Sequence, residues 1–149
     1  ENVCLVKQIK NVVAAGVVGY GDIGVFVPIN SMVKATVKRL NEGGVSAVPL
    51  KQYDGIPSPE VKVGTYARSK GLEFKVVLLP RVKAGTVPHE QRANQSDEAY
   101  AEQRALEVNQ FFVAMTRARD QLIVSFGEHP SEILLEAIDE LEVLKADNI

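Results

Sequence analysis

The sequence predicts an α/β domain with a mainly parallel sheet flanked by helices. Three observations lead to this prediction: short apolar runs alternate with segments of helical periodicity, glycine or proline often closes a run, and 46% of the 149 residues are hydrophobic. Alternating strands and helices favour a parallel sheet, because each parallel pair needs a crossover connection. The length suits one domain with its own core, which we expect to span 1–149.

Local signals place the elements of the N-terminal half. Glycines close the predicted helices, where a left-handed residue can end the last turn, and a proline halts the first strand. Asn30 or Ser31 is expected to cap the second helix, because either side chain can accept from a free amide of the first turn. The predicted elements are a helix from Val3 to Ala15, a strand from Asp22 to Val27, a helix up to Gly43 with Val33, Val37 and Leu40 on one face, and a short strand from Val45 to Leu50.

The C-terminal half continues the alternation after a turn-rich linker at 53–59. Ser96 is the predicted cap of a long helix that reaches about Arg119, and Phe111, Phe112 and Met115 are interpreted as core residues. An acidic amphipathic helix is expected over 131–145. The remaining predicted elements are strands from Val61 to Thr65, from Lys75 to Leu79 and from Gln121 to Phe126, a surface loop at 83–97, and inward positions Leu134, Ala137, Ile138 and Leu141 on the last helix.

Composition excludes several classes of protein. No apolar run approaches the ~18 residues of a membrane helix, so we expect no membrane partner. Cys4 alone forms no internal disulfide, and with His89 and His129 it makes no structural zinc site, which favours a reducing, cytoplasmic setting. Because the chain begins at Glu1 rather than methionine, we expect it to be a piece of a longer protein.

The charge is small overall but unevenly distributed. The net charge is −2, yet residues 62–92 carry seven Lys/Arg against two Glu, whereas 128–149 carry one Lys against seven acids. A basic middle can form an anion-binding face, although ordinary surface charge explains the same pattern equally well.

Residues Gly19 to Gly24 match the glycine-rich fingerprint of dinucleotide-binding proteins letter by letter. That fingerprint needs its glycines after a strand and at the start of a helix, where amides hold a pyrophosphate. Here the glycines precede a predicted strand, so we interpret them as a turn. The sequence also lacks a phosphate-binding loop of the Gly-x-x-x-x-Gly-Lys-Ser/Thr type, and we expect no nucleotide hydrolysis by this chain alone.

Two segments combine residue types suited to nucleotide or nucleic-acid chemistry. Between two predicted strands, Arg68, Lys70 and the exposed amide of Gly71 could meet a phosphate, while Glu73 could accept from ribose hydroxyls. Arg117, at the end of the long helix, either contacts the last helical carbonyls or offers a planar cation to a transferring phosphoryl group. Spacing alone does not decide between these functions and a solvated loop.

The two segments together resemble a known family. Lys70-Gly-Leu-Glu-Phe74, followed about forty residues later by Val113-Ala-Met-Thr-Arg-Ala-Arg119, is similar to the C-terminal motifs of UvrD/Rep-type superfamily 1 DNA helicases. The resemblance covers about residues 20–127. It implies the second RecA-like domain of such a helicase. ATP with Mg²⁺ would bind mainly to an N-terminal RecA-like domain of the same protein, which carries the Walker motifs.

The resemblance implies a role for each matching residue. Arg117 matches the arginine that reaches the γ-phosphate, and Glu73 matches the acid that contacts the ribose. Lys70, with Gly71, matches the phosphate side of the cleft. The segment implied to contact the backbone of single-stranded DNA contains Thr65, Tyr66 and Arg68.

Three departures from the family pattern keep alternatives open. A family histidine is replaced by Ala67, the large inserted subdomain near 51–60 is reduced to a short linker, and the Asn-Tyr-Arg-Ser motif is absent. The main hypothesis is a motor domain of an ATP-dependent DNA helicase, inactive as a fragment, with repair proteins as further partners. The alternatives are a HelD-type ATPase that remodels a protein machine such as RNA polymerase, and a non-hydrolysing scaffold.

Overall fold

The computed structural model describes residues 2–137 and confirms the predicted α/β architecture. Five strands form one sheet in the order β2-β3-β1-β4-β5, and every neighbouring pair is parallel. The elements are α1 (Asn2–Ala14), β1 (Ile23–Val27), α2 (Asn30–Glu42), β2 (Ala47–Pro49), β3 (Val61–Thr65), β4 (Phe74–Leu79), α3 (Asp97–Met115), β5 (Ala118–Val124) and α4 (Glu132–Ala137), with short 3-10 helices at Tyr20–Asp22, Leu50–Gln52 and Tyr66–Ser69.

The sheet is covered on both faces, which explains why its central strands read as continuous apolar runs. All residues of β1 and β3 are buried. One face packs against α1 and α2 through Ile9, Val33 and Leu40. The other face packs against α3 and α4, with Phe111 and Leu134 fully buried. No described helix is long and apolar enough to cross a bilayer.

The parallel arrangement gives the sheet two chemically distinct edges. The amino edge, where strands begin, carries Asp22 before β1, Glu73 before β4 and Arg117 before β5. The carboxyl edge, where strands end, carries Pro28 after β1 and Tyr66 after β3. Since β3 and β4 are parallel and follow each other in the chain, residues 66–73 must return from the carboxyl edge to the amino edge. We call residues 66–73 the crossing segment.

The glycine-rich sequence at 19–24 is a turn, as predicted. Tyr20–Asp22 forms a 3-10 helix directly before β1, and Gly24 lies inside that strand. A Cβ on Gly24 would come within 2.8 Å of the Phe74 ring, so close packing inside the sheet requires this glycine.

The predicted cap of α2 is wrong. The N-cap is Ile29, in an extended conformation and without a side-chain hydrogen bond, while Asn30 and Ser31 already lie in the first turn. An N-cap residue has a non-helical backbone, from which its side chain accepts a hydrogen bond from an amide of the first turn. Asn30 and Ser31 already have helical geometry, so their side chains are not in that position. The predicted face is correct, because Val33 and Leu40 are buried and Val37 packs against the same core cluster.

The long helix begins as predicted but ends earlier. Ser96 accepts from the amide of Ala99 at 3.2 Å, and α3 ends at Met115 rather than near Arg119. The chain instead enters β5 at Ala118, opposite Phe74 of β4, three residues before the predicted start. From Ala118 onward, the backbone groups make their hydrogen bonds to β4, so they do not continue the hydrogen bonding of the helix.

The inward face of α3 also differs from the prediction. Phe111 is fully buried, whereas Phe112 is 42% exposed and Met115 is only partly buried. Phe111 and Ala114 define the buried side, so the prediction is correct for Phe111 and wrong for Phe112. In α4, Leu134 is buried as predicted, while Ile138, Leu141 and the rest of the predicted helix at 131–145 lie outside the described residues.

Candidate functional site

Arg117 connects the two motifs at the amino edge. Its carbonyl accepts from the amide of Phe74 at 2.9 Å, and its Nη1 donates to the carbonyl of Leu72 at 3.4 Å. Its Nε donates to the carbonyl of Val113 at 3.1 Å, and Nη2 donates to Oγ1 of Thr116 at 3.0 Å. The half-buried guanidinium therefore spans the end of α3 and the end of the crossing segment, and segments about forty residues apart form one surface.

The other predicted nucleotide contacts lie on this surface. Lys70, Gly71 and Glu73 are exposed, while Leu72 between them packs against the core cluster below α3. Gly71 has φ of +80°, a conformation that disfavours a side chain, and its position faces open space. The partly buried leucine anchors the loop, and the left-handed glycine turns its polar residues outward.

Four charged residues that the sequence analysis did not single out lie at the same edge. Lys75 Nζ is 3.0 Å from Asp22 Oδ2, and Arg119 forms a two-pronged pair with Asp120, with both distances 2.7 Å. The pKa of Asp22 is lowered, chiefly by the amide of Gly19 and then by Lys75. The carboxylate of Asp120 likewise has a lowered pKa, because it accepts from Arg119.

This ion cluster was missed because its members come from three separate places in the chain. They meet only because β1, β4 and β5 are adjacent in the sheet. The available signal was positional: Asp22, Lys75 and Arg119 each stand within two residues of the start of a strand. That signal becomes informative once the order of the strands is known.

The residues predicted to contact DNA lie near the opposite edge. Thr65 and Tyr66 are buried, with 6% and 4% of their surfaces exposed, whereas Arg68 is exposed. The Tyr66 ring packs edge-on against Phe111, with the ring centroids 5.5 Å apart, and burial raises the pKa of its hydroxyl. Ala67, at the position of the family histidine, is exposed. The predicted site residues thus fall into two groups, one at each end of the crossing segment.

Within residues 2–137 there is no group of three or more His, Cys, Asp or Glu side chains that could hold a metal ion. The charged surface at the amino edge offers the fixed cation of Arg117 and the carboxylate of Glu73, which suit the phosphates and ribose of a nucleotide. The described residues therefore fit part of an ATP site, and the expected Mg²⁺ would take its protein ligands from elsewhere.

The parallel sheet with its flanking helices defines the class of protein. The fold matches the crystal structure of the C-terminal domain of a possible DNA helicase from Lactobacillus plantarum WCFS1, with a TM-score of 0.63 over 87% of this chain and 68% of that one. The two sequences are 18% identical, so this likeness shows the fold alone.

The family follows from the sequence. Residues 30–129 match the UvrD-like helicase C-terminal domain, and the chain belongs to that family. The matched range contains both motifs that carried the resemblance, which is thereby confirmed. A protein of Bacillus subtilis (strain 168) named "Putative ATP-dependent DNA helicase YjcD" is 41% identical over 68 residues, which are 44% of this chain and 9% of that protein.

Proposed function

We propose that this chain is the C-terminal motor domain of an ATP-dependent DNA helicase or translocase. The carrying observation is the direct connection between the two motifs: Arg117 bonds to both the carbonyl of Leu72 and the amide of Phe74. This places a permanent cation and the carboxylate of Glu73 at the same edge of the sheet. Membership of the UvrD-like family supports the proposal.

The amino edge would be this domain's half of an ATP site. Bound ATP would supply the phosphoryl group that passes to water, with Mg²⁺ offsetting charge on its phosphates. Arg117 would direct its guanidinium toward the γ-phosphate, exchanging its bond to Leu72 for that contact, and Glu73 would accept from the ribose hydroxyls. Lys70 and the amide of Gly71 would face the phosphate side. With only these groups, the isolated chain would bind weakly and not hydrolyse ATP.

The crossing segment would couple this site to single-stranded DNA. Arg68, with Thr65 and Tyr66 beside it, would contribute to the DNA track near the carboxyl edge. The segment is short and internally bonded: Tyr66–Ser69 forms a 3-10 helix, and in the turn that follows the amide of Leu72 donates to the carbonyl of Ser69 at 3.1 Å. Movement of Lys70 to Glu73 on ATP binding would therefore shift the residues near the DNA.

A second candidate is an ATPase that remodels a protein machine such as RNA polymerase. The observation that favours it is Ala67, which cannot make the hydrogen bond of a histidine. In that case the amino edge would keep its role in ATP hydrolysis, and the carboxyl edge would face a protein instead of a DNA strand.

The decisive experiment measures ATP hydrolysis by the full-length parent, with and without single-stranded DNA. Arg117→Ala is expected to lower turnover about a thousandfold, because it removes one cation that stabilises the transition state. Arg104→Ala is the matched control, since Arg104 is another hydrogen-bonded arginine, but it lies on α3 and pairs with Glu132.

Each outcome separates the candidates. Stimulation by DNA together with loss of activity only in Arg117→Ala supports the helicase and the role of the arginine. Hydrolysis that ignores DNA favours the protein-remodelling ATPase. Parent-like turnover of Arg117→Ala would overturn the assignment of that residue.

A further inference from the structure

Strand β5 carries one extra residue where it begins to pair with β4. The register of the two strands shifts between Phe74 and Val76. As a result, two residues of β5, Arg119 and Asp120, stand opposite Lys75 of β4. A β-bulge of this kind changes the direction of the side chains that it contains, and bulges are frequent beside functional sites. This bulge lies at the amino edge, in the proposed nucleotide surface.

The bulge explains why two consecutive side chains can bond to each other. In a regular strand, neighbouring side chains point to opposite faces of the sheet. Arg119 nevertheless donates to both carboxylate oxygens of Asp120, from Nε and from Nη2, with both distances 2.7 Å. A two-pronged bond fixes the plane of a guanidinium as well as its position. Asp120 therefore sets the direction in which Arg119 points.

A second carboxylate, that of Glu73, lies within the electrostatic reach of Arg119. Glu73 directly precedes Phe74, which pairs with Ala118, so the two charged residues flank the same pair of strand residues. The pKa of Arg119 is raised chiefly by its hydrogen bond to Asp120, and Glu73 makes a smaller Coulombic contribution in the same direction. Within the part of the chain that the structure describes, the exposed carboxylate of Glu73 forms no hydrogen bond or ion pair.

The other cation of the ion cluster is also occupied by an acid of its own. Lys75 Nζ lies 3.0 Å from Asp22 Oδ2, and Arg119 is bonded to Asp120. Each of the two cations thus has one partner, and Glu73 is the neighbouring acid that neither pair uses. An unpaired carboxylate can accept from the hydroxyls of a ribose without first leaving a cation.

We propose that Asp120 is a positioning residue of the nucleotide surface: it holds Arg119 away from Glu73, so that the Glu73 carboxylate stays open to the hydroxyls of a ribose. The proposal rests on the proposed function, which gives Glu73 the ribose contact, and it adds how that acid is kept available. An arginine is permanently charged and its planar fork fits any carboxylate within reach. Without Asp120, Arg119 would therefore compete with the ribose for Glu73.

The test measures steady-state hydrolysis by the full-length parent of ATP and of dideoxy-ATP, which lacks both ribose hydroxyls. The parent should have a KM about tenfold lower for ATP, because only ATP can bond to Glu73 through its ribose. Asp120→Asn keeps the shape of the side chain and removes the charge that holds Arg119. We expect it to raise the KM for ATP about threefold, the range of one exposed ion pair, and to leave kcat and the KM for dideoxy-ATP unchanged.

A second substitution separates positioning from a structural role of Asp120. In the double variant Asp120→Asn with Arg119→Gln, no cation competes for Glu73, so the KM for ATP should return to the value of the parent. A merely structural role of Asp120 predicts a double variant that is at least as impaired as Asp120→Asn. If Arg119→Gln alone raises the KM for ATP as much as Asp120→Asn does, Arg119 itself contacts the nucleotide and the proposal is overturned.

Asp97→Asn is the matched control for the loss of an exposed aspartate. Asp97 accepts from Gln91 at 2.9 Å at the beginning of α3, whereas the amino edge lies at the other end of that helix. Its substitution should leave the KM for both nucleotides at the values of the parent.

The remaining outcomes distinguish this proposal from the proposed function. If the parent hydrolyses ATP but does not distinguish it from dideoxy-ATP, the ribose contact of the proposed function is overturned, and the positioning role falls with it. If the parent distinguishes the two nucleotides but Asp120→Asn keeps the KM of the parent, only the positioning role is overturned. An equal rise in KM for both nucleotides would mean that Asp120 acts on the shape of the surface, which also overturns the positioning role.

Discussion

The crossing segment joins two edges of the sheet that differ in how their residues are held: one carries exposed charges and the other carries buried side chains. At the amino edge, Glu73, Arg119 and Asp120 are exposed charges that gain little from burial. At the carboxyl edge, Thr65 and Tyr66 are buried, and the one unpaired buried hydroxyl of the described residues lies there. We therefore expect substitutions at the charged amino edge to change the activity of the protein. Substitutions at the packed carboxyl edge should instead change its stability.

The largest expected effect is a loss of stability at the packed carboxyl edge. Phe111 is fully buried and contacts the Tyr66 ring, so Phe111→Ala should lower the free energy of unfolding by about 3–5 kcal/mol. Phe112→Ala, next to it but 42% exposed, should cost less than about 1 kcal/mol. Urea unfolding of both variants measures the difference, and equal losses would show that the buried side of α3 is assigned wrongly.

A second prediction compares two glycines of equal backbone strain, only one of which lies in the proposed nucleotide surface. Gly71 and Gly16 have φ of +80° and +82°, and a Cβ at either would meet nothing within 4 Å. Alanine at either position should therefore destabilise the chain by about 1–2 kcal/mol through backbone strain alone. Only Gly71→Ala should also reduce ATP hydrolysis by the full-length parent, because Gly71 lies in the proposed nucleotide surface. Equal effects on hydrolysis would remove Gly71 from that surface.

A third prediction concerns the ribose contact at the charged edge. Glu73→Gln should raise the KM for ATP about tenfold, the loss of one hydrogen bond to a charged group, with little change in stability because the side chain is exposed. Glu128→Gln, an exposed acid beyond β5, is the control and should behave like the parent. Steady-state ATPase assays of the parent measure KM, and an unchanged value for Glu73→Gln would contradict the ribose role.

Features set by neighbouring residues could be predicted from the sequence. The strand after Asp22 and the cap at Ser96 depend on signals within a few residues, such as a buried apolar run or a hydroxyl before a helix. The grouping of Arg117 with Glu73 came from the resemblance to a family, because spacing along the chain did not decide the role of either.

Features set by distant partners could not be predicted. The chain leaves α3 before Arg119 because Ala118 pairs with Phe74, a contact across more than forty residues. The choice of Phe111 over Phe112 for the core depends on how α3 is rotated against the sheet. The bulge at Arg119 and Asp120 needs the pairing of β5 with β4, which exists only in the folded chain. Local patterns contain none of this information.

The smallest expected effect is a pH dependence at the amino edge. The pKa of Asp22 is lowered from 3.8, first by the amide of Gly19 and then by Lys75, so the folded state favours the ionised carboxylate. The ionised carboxylate therefore adds to the free energy of unfolding at pH values above its unfolded pKa near 3.8. This stabilisation is lost as the pH falls through the lower folded pKa. Because both side chains of the Lys75 pair are about one-third exposed, solvent screening limits the contribution to about 0.2–1 kcal/mol. Asp22→Asn should lower stability by that amount at pH 6 and by less at pH 2, as measured by urea unfolding at both values. A difference that is equally large at pH 2 would mean that Asp22 acts through packing, and the contrast between the two edges would lose its physical basis.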